Sequence, residues 1–226
     1  MLNEYVPRPF IYQWANLTDK MGSDLTVVNA ARVSFKNKHR TFEQDKDEKL
    51  IKYLAKHGHW SPFAHCTMQF HIVAPVFVAR QLVKHQVGLS WNEVSRRYVD
   101  TEVEFYVPKE WRAKADNVKQ GSSDEEVDIN PHKFVIDDYM RLMKSAKWTY
   151  EELLRKGVAP EQARMVLPQS MMTEWYWSGT LYAFARVCAL RLHETAQEET
   201  RIIAKQISQH ARKLFPVCWD SLTEEI

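Results

Sequence analysis

The sequence predicts an α+β fold in a single domain over residues 1–226, and three features carry that expectation. Cys66, Met68, Phe70 and Ile72 alternate with polar neighbours, the period of a half-buried strand. From Val135 onward apolar residues recur at three and four, the period of helices. With 45 % apolar and 27 % charged residues the chain can build a core and has too little charge excess for disorder. Only 6 Gly and 9 Pro leave little material for a long linker.

The first helix is expected from Thr41, as N-cap with Gln44 three residues on, to about His57, with Leu50, Ile51 and Leu54 on one face. After HGHWSP comes the alternating strand AHCTMQFHIV. Pro75 then suits a first helical turn, followed by Val76, Ala79, Leu82 and Val83 at helical spacing. The stretch VGLSWNEVSRRY has no clean period and reads as a loop. A second strand is expected where Val103, Phe105 and Val107 alternate with Glu102, Glu104 and Tyr106 before Pro108. The polar, acidic run Gly121–Asp128 reads as an exposed, mobile loop. Val135, Tyr139, Leu142, Ala146, Tyr150 and Leu153 mark a long helix, and a shorter one follows Pro160. Two more carry the stripes Leu181, Phe184, Ala185, Cys188, Leu192 and Ile203, Ile207, Ala211, Leu214, the second ending before Pro216. No internal repeat is present.

Several function classes lose support at once. The 31 basic and 29 acidic residues give a net charge of +2, so no strong basic field argues for a nucleic-acid backbone as partner. No apolar stretch approaches the roughly 18 residues that span a bilayer, and MLNEYVPRPF lacks the basic and apolar regions of a signal peptide, so a cytoplasmic protein with no membrane partner is expected. Cys66, Cys188 and Cys218 sit in apolar runs without C-x-x-C spacing, which points to reduced, buried thiols. His57, His59, His65 and His71 crowd the first strand, but no H-E-x-x-H or cysteine set accompanies them and no metal is expected. Glycine-rich dinucleotide and P-loop motifs and the G-x-S-x-G elbow are absent.

Chemistry concentrates between Arg80 and Tyr98. At helical spacing Gln81, Lys84 and His85 share a face, aiming an amide, an ammonium and an imidazole at one ligand. Just beyond lie Ser90, Asn92, Glu93, Ser95, Arg96 and Arg97. Arginine forks and hydroxyls suit a phosphorylated molecule, and a carboxylate such as Glu93 fixes a ribose hydroxyl or orients an arginine. The same residues equally describe a solvated, salt-bridged surface. Arg164 in EQARMVLP and Arg191 in CALRLHE are single cations beside apolar helical faces, suited to a ligand or to a cap.

Taken together, HGHWSPFAH, the apolar run into VARQLVKHQ, and SWNEVSRRY resemble the flavin-dependent thymidylate synthase family. Ser90, Asn92, Glu93, Ser95, Arg97 and Tyr98 fit the second half of its signature; AARVS at 30–34, ARMVLP and ALRLHETA resemble other segments, in the family's order. Two departures stand out. Lys84-His85-Gln86 replaces Arg-His-Arg, and eight residues rather than seven separate Gln86 from Ser95. A late Asn-x-Arg is not evident either: Thr180, Leu181 and Tyr182 occupy its region, with Arg186 one turn on.

The resemblance implies a small, mainly antiparallel sheet flanked by long helices, in a homotetramer with shared active sites. It implies reductive methylation of dUMP at C5, with 5,10-methylenetetrahydrofolate as carbon donor and FAD and NADPH as redox system, without a cysteine nucleophile. Arg191 then carries the catalysis, stabilising negative charge on the pyrimidine edge. Gln81, Lys84, Glu93, Ser95, Arg97, Arg164 and Arg191 hold dUMP; His59, Ser61, Lys84, His85, Gln86, Glu93 and Arg186 hold FAD. Two other readings stay open: a non-catalytic nucleotide-binding relative in which the departures have cost the flavin site, and a single-stranded nucleic-acid binder using aromatics such as Trp91 and Tyr98.

Overall fold

A computed structural model describes residues 12–99, 101–115, 122–127 and 133–224, and its helices and antiparallel strands realise the α+β expectation. The described residues group into two compact units. One comprises residues 12–13, Val73–Arg80 and Glu93–Glu174; the other comprises Trp14–Ile72, Gln81–Asn92 and the chain from Trp175 on.

A four-stranded sheet, most of whose residues belong to the second unit, has the order β1 (Trp14–Met21), β2 (Thr67–Pro75), β6 (Met172–Thr180), β3 (Leu89–Glu93). The predicted alternation in β2 holds: Met68, Phe70 and Ile72 are buried, while Gln69 and His71 between them are half-buried. The helices of this unit are α1 (Asp24–Arg32), α2 (Gln44–Lys56), α6 (Leu181–Arg191), α7 (Glu198–Leu214) and α8 (Pro216–Thr223). Helix α6 packs on α7 and α8, and α2 on α8. Phe70, Phe184 and Trp177 meet edge to face in the core, the arrangement that aromatic quadrupoles favour.

Local competition explains the departures in this unit. Helix α2 is capped by Glu43, two residues after the expected cap Thr41, because the buried Asp47 carboxylate accepts from Glu43 N–H at 2.8 Å and from Arg32 Nη2 at 2.8 Å. Residues 89–93 are strand β3 rather than loop. Trp91 stacks on Trp175 at 4.4 Å and meets Trp177 edge-on at 5.5 Å, an anchor that a short, polar-looking run hides. Elements β1, α1, β6 and α8 are additions to the elements expected from sequence.

The first unit is built on α4 (Lys133–Arg155), whose Met143 and Tyr150 form a core with Val103, Phe105 and Ala163. Val135 and Leu142, expected on the inner stripe, are exposed, and Met143 takes the inward place one residue on. The expected second strand is an extended segment holding only a bridge at Phe105↔Met171, with Tyr106 N–H donating to Ser170 O and Met172 N–H to Glu104 O, both at 2.8 Å. Its inward residues Val103 and Phe105 are nonetheless buried as the alternation requires. Strand β5 (Ser122–Glu126) replaces most of the expected acidic loop and pairs antiparallel with β4 (Arg112–Lys114); Gly121 and Asp128 lie outside the described residues. Backbone pairing satisfies amides that composition alone would leave to water, and Arg112 Nε donates to Ser122 Oγ at 2.9 Å. Helix α5 (Pro160–Ala163) follows Pro160 as expected, but it is one turn long and passes into a 3-10 turn at Arg164–Val166.

Candidate active site

In the second unit the polar cluster begins where α3 (Val76–Leu82) ends. The helix ends at Leu82, so Lys84 and His85 lie beyond it, in the connection to β3 with Gln86, and do not share a helical face with Gln81 as the spacing predicts. Gly88 closes the connection just before β3. It adopts a left-handed φ of +79°, its carbonyl accepts from Thr180 N–H at 3.1 Å, and a Cβ there would meet Ala183 Cβ at 3.1 Å. Lys84 and Gln86 are left exposed, while His85 turns inward and is half-buried.

What His85 meets is Arg191, the last residue of α6. Arg191 Nε donates to His85 Nε2 at 3.0 Å, and Nη2 donates to the Gln81 carbonyl at 3.3 Å. Residues separated by more than a hundred positions are thus joined around one guanidinium. An arginine only donates, so His85 Nε2 must be the acceptor, and the imidazole proton sits on Nδ1. Burial, with Arg191 and then Arg186 as neighbouring cations, holds the His85 pKa below its ordinary value. Burial lowers that of Arg191 as well.

Behind this contact stands a further layer. Thr200, fully buried on α7, donates its hydroxyl to Gln81 Oε1 at 3.1 Å, while Gln81 Nε2 donates to Gln197 Oε1. The Gln81 amide is therefore fixed in one orientation. Thr200 escaped the sequence reading, although a threonine three residues before Ile203 on a buried stripe is the pattern that signals an inward polar group.

The other expected residues of this unit lie on the surface. Ser61 opens the 3-10 turn Ser61–His65 and is exposed, as are His59 and Arg186. Trp60, also exposed, has its ring 6.3 Å from that of Tyr182. An ammonium, an amide and a hydroxyl, with an aromatic pair, are group types that a dinucleotide's diphosphate and ring system take, so the chemistry of Lys84, Gln86, Ser61, Trp60 and Tyr182 is compatible with FAD. His71 is spent on packing, stacked on Tyr176 at 4.8 Å with Trp14 edge-on at 4.9 Å. Among the described residues no group of three or more His, Cys, Asp or Glu side chains is placed to hold a metal ion.

In the first unit Glu93 is held by Thr173, whose buried hydroxyl donates to Glu93 Oε1 at 2.8 Å. Thr173 too escaped the sequence reading. Ser95 Oγ accepts from Arg97 N–H at 3.3 Å. The two adjacent arginines divide their work: Arg96 donates to the backbone carbonyls of Thr101 and Glu102, whereas Arg97 projects outward, 3.5 Å from Glu161 Oε2 and over the Tyr98 ring. Arg164 is exposed in its 3-10 turn. A cavity of about 390 Å³ lies in this unit, with Arg96, Thr173 and Glu174 on its wall. One of about 330 Å³ lies in the other, beside Lys20, Gln69 and Ser90. None of the expected ligand residues lines either.

The comparisons with known proteins point one way. A family model described as thymidylate synthase complementing protein matches residues 16–217. A flavin-dependent thymidylate synthase of Thermus thermophilus is 38 % identical over 94 % of this chain and 76 % of its own length. One from Thermotoga neapolitana is 36 % identical over 92 % of this chain and 89 % of its own. Among solved structures, a UMP/dUMP methylase from Streptomyces cacaoi bound with 5-Br dUMP superposes with a TM-score of 0.84 at 32 % identity, covering 94 % of this chain and 95 % of that one.

Proposed function

The chain belongs to the flavin-dependent thymidylate synthase family, and from that membership we propose how its own residues carry out the reductive methylation of dUMP to dTMP. It is an FAD-dependent enzyme, with 5,10-methylenetetrahydrofolate as carbon donor and NADPH as reductant. The flavin, when bound, supplies the reducing equivalents that turn a transferred one-carbon unit into a methyl group.

The observation that carries the residue assignment is the half-buried Arg191 guanidinium, tied down at Nε and Nη2 and keeping three other N–H donors. Placed on the pyrimidine edge, it stabilises negative charge at N3 and O2 and makes C5 more nucleophilic; a fixed cation needs no reorganisation as that charge develops. Activation by a thiol is disfavoured. Cys66, Cys188 and Cys218 are all buried, and burial pushes the Cys66 pKa up to about 11 and those of the other two higher still. Gln81, Lys84, Glu93, Ser95, Arg97 and Arg164 hold the nucleotide in this reading; His59, Ser61, Lys84, His85, Gln86, Glu93 and Arg186 hold the flavin.

We take residues 1–226 as one domain, supported by a family match that runs from 16 to 217. We take the assembly as a homotetramer with shared sites. Lys84, Gln86, Ser61, Arg97 and Arg164 stand exposed on a single chain, as expected of residues that become enclosed only when subunits meet. A cytoplasmic setting, with no membrane or nucleic-acid partner, suits three reduced cysteines and a near-neutral charge, and no described helix is long and apolar enough to cross a membrane.

The deciding experiment is an absorbance spectrum with added FAD, then anaerobic reduction by NADPH and addition of dUMP with methylenetetrahydrofolate. Flavin reoxidation coupled to thymidylate formation is expected. Arg191→Ala is expected to lose turnover by about 10²- to 10³-fold with the flavin spectrum intact. Nucleotide binding without flavin binding would leave a non-catalytic relative instead.

A further inference from the structure

His85 is a flavin ligand by motif position, but its observed hydrogen bond runs to Arg191. We propose that His85 is a positioning residue for Arg191: its Nε2 accepts from Arg191 Nε and, with the Gln81 carbonyl on Nη2, fixes the guanidinium so that its remaining N–H donors face the pyrimidine. The proposal rests on the reading that Arg191 polarises dUMP, and extends it by naming what aims the cation.

The geometry carries it. An arginine side chain on a helix end swings about several bonds, and a cation misplaced by about 1 Å can lose about 10²-fold in rate. Two acceptors on adjacent nitrogens remove that freedom. One is a backbone carbonyl near the end of α3, which cannot rotate away while Thr200 and Gln197 grip the Gln81 side chain. The other is the imidazole, and it accepts only while Nε2 carries no proton. The environment keeps it so: Arg191 and Arg186 face His85 from α6, Lys84 precedes it in its own turn, and burial with the two arginines holds its pKa down. A cationic His85 would lose the hydrogen bond and repel the guanidinium it orients. His85 therefore also sets an acid limit on catalysis.

The test compares wild type with His85→Gln and His85→Leu from pH 5 to pH 8. Calorimetry with dUMP on flavin-free protein and turnover of the loaded enzyme are measured at each pH. Glutamine places a carbonyl oxygen near the site of Nε2 and does not titrate; leucine fills the space without an acceptor. Wild type is expected to lose dUMP affinity and kcat in acid more steeply than His85→Gln, the difference cancelling titration of the nucleotide phosphate. For His85→Gln the readout is the shape of the acid limb relative to its own neutral-pH values, measured at saturating FAD. His85→Leu is weak at every pH, with kcat down about 10²-fold even at saturating FAD. An acid limb identical in wild type and His85→Gln overturns the proposal. So does wild-type activity in His85→Leu, or loss of flavin in step with activity in both variants. If instead Arg191→Ala binds and turns over dUMP normally, the underlying reading of Arg191 fails, and that result is distinguishable from the others.

Discussion

Gln86 is the residue at which this chain departs most in charge from the family motif it otherwise follows. Where Arg-His-Arg would offer two forks, the turn offers one exposed ammonium on Lys84 and one exposed neutral amide, so a diphosphate there meets a single point charge. Restoring charge at a solvent-exposed position gains only a few tenths to about 1 kcal/mol. Gln86→Arg is accordingly expected to tighten FAD two- to five-fold in a fluorescence titration, the gain fading with added salt; no change would place the diphosphate away from this turn. Arg97 stands where the signature places an arginine and Arg191 in a late segment that resembles the family's, so both candidates are marked by sequence, whereas Lys84 replaces an arginine of the motif. The supports of the candidate residues are not so marked. Thr173 and Thr200 each hold a candidate ligand residue through one hydroxyl, from sequence distances of 80 and 119, and no local pattern encodes a partner so far along the chain.

At the scale of elements, two junctions hold the fold together, the second of them beside the candidate site. The first joins the end of α1 to the start of α2. Asp47, fully buried, accepts from Arg32 Nη2 at 2.8 Å, from Glu43 N–H at 2.8 Å and from His39 Nδ1 at 3.3 Å, while Asn29 clamps the His39 backbone from both sides. Removing one partner of such a cluster strands the others, so Asp47→Ala is expected to cost about 3 kcal/mol in urea unfolding. A loss below about 1 kcal/mol would mean that Arg32 rehydrates freely. The second junction seats the turn before β3 against β6. A Cβ at Gly179 would lie 2.8 Å from the Gly88 carbonyl, and backbone cannot yield as a flexible side chain can. Gly179→Ala should therefore destabilise the protein by about 1–3 kcal/mol and weaken dUMP binding through the displaced Lys84–Gln86 turn. Helices α4, α6 and α7 were legible from apolar recurrence at three and four, although α6 is buried beyond its predicted stripe, at Ala183 and Val187 too, and Val135 and Leu142 of α4 face outward. Strands β3 and β5 were not, since five residues hold too few repeats, and Trp91 shows its role only beside Trp175 and Trp177.

For the whole molecule, the proposed homotetramer with shared sites makes a prediction about which chains supply the two arginines of a site. Arg191, with His85 and Gln81, belongs to one compact unit, while Arg97, Glu93 and Arg164 belong to the other. If a site takes Arg191 from one subunit and Arg97 from another, two inactive variants repair each other. Co-expression of Arg191→Ala with Arg97→Ala then produces mixed assemblies in which a site drawn from two randomly chosen subunits is intact about one time in four. About a quarter of wild-type turnover is therefore expected from the co-expressed mixture, against near-background rates from each variant alone. Light scattering on the same samples should give four times the 26.7 kDa chain mass in every case. A mixture no more active than its components would show that both arginines of a site come from one chain. A mixture at a quarter of wild-type turnover, and falling to background once its subunits are separated and reassembled with their own kind, would locate catalysis in the assembly.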